Sequence, residues 1–150
     1  METQLFRGKA INRDPNREYR TNYKNGDWVF GLLSKFDDYG AEMTNEDGVS
    51  RIDVDPETVG RVTKINEILF GEGDIIEVSA SRDGEYKAHG IIRFGEFEDY
   101  NGNVFTGFYI EWQGENYKYH RKSIKWWLKE RDLKIVGNIY DMPDFLEENK

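Results

Sequence analysis

The stretch Leu69-Phe70-Gly71-Glu72-Gly73-Asp74-Ile75-Ile76-Glu77-Val78 decides how this 150-residue chain is read. Two glycines and an aspartate, residue types that supply left-handed backbone and local side-chain hydrogen bonds, precede a run rich in apolar and β-branched residues. The pattern predicts a turn feeding a strand of a small barrel.

C-terminal to it the chain reads as a meander. Strands are expected at 74–81, 86–95 and 104–113, joined by Arg82-Asp83-Gly84-Glu85 and by a loop centred on Asn101-Gly102, after which Gly114-Glu115 turns into 116–121. Phe108, Ile110 and Trp112 alternate with Tyr109 and Glu111, and Gly73, Gly90, Gly95 and Gly107 stand where such strands bend or bulge. Short turns between alternating strands suggest a small barrel or a strongly coiled sheet. The period then changes: Ile124, Trp127, Leu128 and Arg131 form one helical stripe over 123–132, with Ser123 able to cap it. Residues 133–140 return to strand character and are expected to close the sheet against an earlier strand. Asp141-Met142-Pro143-Asp144-Phe145-Leu146 ends in a turn or short helix whose Phe145 and Leu146 cover a barrel mouth.

N-terminal to the opening stretch, Asn25-Gly26 tolerates the positive φ angles of a tight turn and predicts a hairpin between 19–23 and 27–33. A second hairpin joins 41–44 to 49–54 through Asn45-Glu46-Asp47-Gly48. Asp55-Pro56-Glu57-Thr58 has the composition of a capped helix or turn start. It marks the joint between an N-terminal β-hairpin region, 1–59, and the barrel domain, 60–150. Arg7, Lys9, Arg13, Arg17, Arg20 and Lys24 make the first end basic. It reads as a solvated strand or loop, or else as an arm docking on an acidic neighbour of the same protein.

Composition narrows the function classes. With no cysteine, thiolate catalysis, Cys-bound zinc and disulfides are excluded, and cytosol is the default compartment. The chain start has no apolar signal core, and no run approaches the ~18 apolar residues that span a bilayer. A net charge of -8 opposes non-specific binding to nucleic acid or anionic membrane.

Three stretches carry a family resemblance. Asn25-Gly26-Asp27-Trp28-Val29-Phe30-Gly31, Phe70-Gly71-Glu72-Gly73-Asp74-Ile75-Ile76-Glu77 and Ile135-Val136-Gly137-Asn138-Ile139-Tyr140-Asp141-Met142-Pro143 together resemble the YopX family of phage and prophage proteins. The matches keep their order along nearly the whole chain, and the last is the most specific. Residues 60–68 depart from the family pattern, lacking its Gly-Leu and Asn-Gly, so the resemblance assigns no turn there. It implies an SH3-like barrel for the C-terminal part from about Gly60, an N-terminal β portion in front, and a bacterial host cytoplasm. It implies no activity and no catalytic residue.

Candidate sites are few. His89 and His120 stand apart from any recognisable triad pattern. Asp53, Asp55 and Glu57 have the alternate spacing of a calcium loop but lack its glycine and its bidentate Glu, which favours a capped turn. Gly71-x-Gly73 lacks the third glycine and the helix of a dinucleotide site. Glu96 and Glu98 share a strand side without any sign of a cleft.

The segment 117–134 carries more. Lys118, Arg121, Lys122, Lys125, Trp126 and Lys129 interleave cations with an aromatic ring, as single-stranded nucleic-acid sites do. The competing expectation makes Trp127 core, the lysines solvent-facing, and the patch a partner for acidic surface on another subunit. The sequence therefore predicts a mainly β protein with one short helix that is non-catalytic and self-associating, a structural or interaction protein forming a homo-oligomer. The alternative is a nucleic-acid-binding accessory factor. No metal, cofactor, small-molecule substrate or membrane partner is expected.

Overall fold

The computed structural model describes residues 4–11, 24–45, 51–79, 87–99, 101–113 and 122–145. These are mainly strand, with one 3-10 turn and one α-helix, and the chain divides into two compact units, Met1–Lys64 and Ile65–Lys150.

The first unit contains β1 (Leu5–Lys9), β2 (Trp28–Asp37), β3 (Gly40–Asn45), β4 (Arg51–Val54) and β5 (Gly60–Ile65). Their sheet order is β4-β3-β2-β1-β5, and β6 (Ile68–Gly71) follows in the second unit. Period-two alternation sends Val29, Ala41, Met43, Ile52 and Val54 into one core, with Phe6, Leu33 and Val59 packed against it. The opposite pleat of β1 and β2 holds Arg7, Lys9 and Trp28. The Arg7 guanidinium lies 4.6 Å and the Lys9 ammonium 5.4 Å from the Trp28 ring centroid.

For Arg7 and Lys9 that arrangement corrects the expectation of a solvated strand or loop, while Arg13, Arg17 and Arg20 lie outside the described residues. β1 is an interior strand between β2 and β5, and Arg7 is only 7% exposed. The ring face of Trp28 attracts both cations, which is how a basic strand enters an interior position. The same strand continues to Ala10, which bridges Val54. Ile11 N–H donates to Asp53 O at 2.9 Å and Asp55 N–H to Lys9 O at 2.8 Å, so the end of β1 returns to β4 and the sheet curls.

Asn25-Gly26 forms a turn, closed by Asp27 N–H donating to Lys24 O at 3.0 Å. The partner of β2 over Trp28 to Gly31 is β1, and the strand expected at 19–23 lies outside the described residues. The second hairpin is present as β3 paired with β4, its 46–50 connection also outside them. Pro56–Thr58 is the 3-10 turn, with Asp55 as its cap.

The second unit contains β7 (Asp74–Ser79), β8 (Lys87–Glu98), β9 (Val104–Trp112), α1 (Ile124–Glu130) and β10 (Leu133–Asn138). Residues 69–78 form the end of β6, a tight turn and the start of β7. Gly71 N–H donates to the buried Asp74 carboxylate at 2.8 Å, and Gly73 turns at φ 89° into β7. Gly73 N–H donates to Ile92 O while its carbonyl accepts from Ile139 N–H, which pins the turn between β8 and the chain after β10.

The sheet order is β10-β7-β8-β9, antiparallel throughout. One face buries Phe70, Ile76, Val78, Ile92, Ile110 and Trp112 beneath Ile124, Trp127 and Leu128 of α1. The other face packs Ile75 and Ile91 against Ile139 and Phe145. Strand 133–138 pairs with β7 and forms one edge, β9 the other, so the described strands make an open sheet and no closed barrel. Phe145 covers a sheet face rather than a barrel mouth, and Leu146 lies outside the described residues. Among the described residues no helix is long and apolar enough to cross a membrane.

Candidate functional site

The helix carrying the basic and aromatic residues forms where the sequence places it. Ser123 takes extended backbone and its hydroxyl accepts the Trp126 N–H at 3.2 Å, satisfying one of the orphan donors of the first turn. Ile124 is fully buried and Trp127 and Leu128 pack beside it, which fixes the rotation of α1 and turns Lys125, Trp126 and Lys129 outward. Ser123 also bridges Tyr109 of β9, tying the start of α1 to the sheet.

Lys122, Lys125, Trp126 and Lys129 are thus brought onto one segment, while Lys118 and Arg121 lie outside the described residues. Trp126 is 41% exposed and stands edge-on to Trp127 at 4.9 Å, and Trp127 stands edge-on to buried Trp112 at 5.0 Å. The three rings anchor an exposed indole to the core. Lys122 Nζ lies 5.4 Å from the Trp126 ring centroid and 3.9 Å from Asp99 Oδ2.

Asp99 shapes the loop beside the helix. Its Oδ1 accepts N–H bonds from Asn101 at 3.0 Å and Asn103 at 2.9 Å. Burial raises its pKa, but the backbone donors of Asn103 and Asn101, with Lys122, outweigh that and hold the carboxyl below the usual Asp value. Lys122 is therefore matched to an acid of its own chain. Lys125 and Lys129 are exposed.

The second titratable group lies on the face opposite α1. Glu77 and His89 are cross-strand partners of β7 and β8. His89 Nε2 meets Glu77 Oε2 at 3.0 Å, Lys87 Nζ meets Oε1 at 3.1 Å, and the His89 ring stands edge-on to Phe145 at 5.9 Å. The bond from His89 first, then the Lys87 ammonium, hold the Glu77 carboxyl below its ordinary value. This is a sheet-bracing pair with an apolar neighbour.

The remaining sequence candidates resolve locally. Asp55 Oδ1 accepts the Glu57 N–H at 3.1 Å as a turn cap, and Gly71-x-Gly73 is closed by Asp74. Glu96 and Glu98 are exposed on β8, and His120 lies outside the described residues. Among the described residues no group of three or more His, Asp or Glu side chains is placed to hold a metal ion.

Sequence reasoning missed the outer margin of β9. Val104 and Phe105 are 59% and 48% exposed. The available signal was the ten-residue run from Asn101 to Ile110, which contains no charged residue in a chain that is 33% charged.

Fold and surface together define a two-unit, mainly β protein with a cation-flanked indole on its helix and an apolar strand margin. The chain matches no protein-family model, no curated protein and no solved structure.

Proposed function

We propose that this chain is a self-associating structural or interaction protein with no catalytic role. The observation that carries the reading is the set of large apolar side chains left exposed at strand margins and turns. Tyr39 is 84% exposed and Val104 and Phe105 about half. Aromatic groups in solvent at such margins are the residue types that interfaces recruit. The stretches that resemble the YopX family, Asn25 to Gly31, Phe70 to Glu77 and Ile135 to Pro143, support a phage or prophage protein acting in the bacterial host cytoplasm.

The SH3-like reading belongs to the C-terminal part, from about Gly60. Over residues 60–150, its support is the meander of β7, β8 and β9. Sedimentation velocity from about 1 to 300 µM tests the functional reading. A concentration-dependent oligomer is expected, and a monomer throughout would overturn it.

One observation favours nucleic acid as a second reading: Trp126 is exposed beside Lys122, with Lys125 and Lys129 on the same helix. Cations for phosphates and a ring for base stacking are the parts such a site needs. Single-stranded oligonucleotide at low salt would then quench tryptophan emission, and the Lys125→Glu plus Lys129→Glu variant would abolish the quenching.

A further inference from the structure

We propose that the outer edge of β9, at residues 104–108, pairs antiparallel with the same strand of a second copy about a twofold axis at Thr106, joining two four-stranded sheets into one of eight. This rests on the self-association reading and gives it a surface.

An edge strand offers a row of N–H and C=O groups that another strand completes, and proteins usually blunt such edges with charge, proline, bulges or cover. The other edges here are blunted. β10 carries Lys134 and a register irregularity between Ile135 and Gly137. β4 carries Arg51 and Asp53 and is bridged by Ala10. β6 is only four residues long. Among the described residues, β9 has none of these devices over its first half. Its sequence there, Val-Phe-Thr-Gly-Phe, holds no charge and no proline, and side chains on both faces are exposed at Val104, Phe105 and Thr106.

The boundaries of the window set the register. β9 begins at Val104, and from Tyr109 its outer side is occupied by the bridge to Ser123. Five residues remain, and their midpoint is Thr106. A twofold axis there opposes Thr106 to Thr106, Phe105 to Gly107 and Val104 to Phe108. Gly107 has open space where a Cβ would stand, so the partner's Phe105 ring can lie across it, as aromatic side chains cover glycines in paired strands. Phe105 is already ordered for this by stacking on Phe97 at 5.6 Å.

Self-complementarity selects a second copy as the occupant: Phe105 of each copy meets Gly107 of the other, and the run 101–110 brings no charge of its own to a chain of net charge -8. The pairing supplies about four to six backbone hydrogen bonds. Its small area predicts a weak dimer, populated at tens to hundreds of micromolar.

Two variants test the proposal. Thr106→Glu places two carboxylates face to face across the axis, each beside Glu96 of its own β8, and is expected to weaken dimerisation by about tenfold or more. Circular dichroism on the same samples establishes that the fold is retained. Because the chain has no cysteine, Thr106→Cys gives a single thiol that is expected to form an interchain disulfide under mild oxidation, whereas Asn101→Cys, outside the paired window, is not. If the parent oligomerises but folded Thr106→Glu matches it and Thr106→Cys fails to cross-link, this surface is wrong and self-association stands. If the parent stays monomeric to several hundred micromolar, both fall.

Discussion

Glu67 occupies a position that its side chain disfavours. The turn between β5 and β6 is made by Asn66 and Glu67, with φ angles of 52° and 67°, the left-handed pair of a type I′ hairpin turn. Asn tolerates that region through its short polar side chain, whereas Glu pays steric strain. Glu67→Gly restores the Asn-Gly pair that the turn prefers and is expected to stabilise the protein by about 1 kcal/mol, raising Tm by roughly 3 °C. Glu67→Ala keeps the strained backbone and is expected to give no rise in Tm. Thermal unfolding of both variants checks this, and a drop in Tm for the glycine variant would refute the strain argument. The turn was illegible in the sequence because the residue that normally announces it is missing. Gly73 and Asp74 were legible, because each is the residue type its local backbone or hydrogen bond requires.

At the level of elements, legibility followed how local the cause is. The helix was readable because its cap, Ser123, and its buried stripe, Ile124, Trp127 and Leu128, lie within one short window. The interior position of β1 was not, because the ring that accepts Arg7 and Lys9 lies about twenty residues away on β2. The Glu77 and His89 pair was hidden for the same reason, since only the β7 and β8 register makes them neighbours. That pair gives the second unit an acid-sensitive brace. The folded-state pKa of Glu77 lies below its ordinary value of 4.5, so the stabilisation is present above that value and is lost as pH falls through the folded-state pKa. Asp99 acts in the same direction from a reference of 3.8. Urea midpoints measured between pH 7 and pH 3 are expected to fall most steeply below about pH 4.5, and Glu77→Gln is expected to flatten part of that slope while lowering the midpoint at pH 7. An unchanged slope in the variant would show that Glu77 carries none of the acid sensitivity.

Over the whole molecule, salt separates the two readings, because it acts on them with opposite sign. Two copies that each carry a net charge of -8 repel one another, and that repulsion is long-ranged in dilute buffer, where the screening length is about 30 Å at 0.01 M and about 10 Å at 0.1 M. The contact proposed along β9 is uncharged, so added salt removes the repulsion without weakening the contact itself. Self-association is therefore expected to strengthen as salt rises from about 10 mM to about 300 mM. Binding of single-stranded nucleic acid through Lys122, Lys125 and Lys129 would run the other way. Three phosphate contacts release about two counterions, giving a log-log slope near -2, and Lys122 adds less to that slope because Asp99 already faces it. Sedimentation and oligonucleotide titration across one salt series thus give curves of opposite slope. Association that weakens with salt would mean that the copies meet through paired opposite charges, and would move the interface from β9 to the basic helix and an acidic surface on the partner.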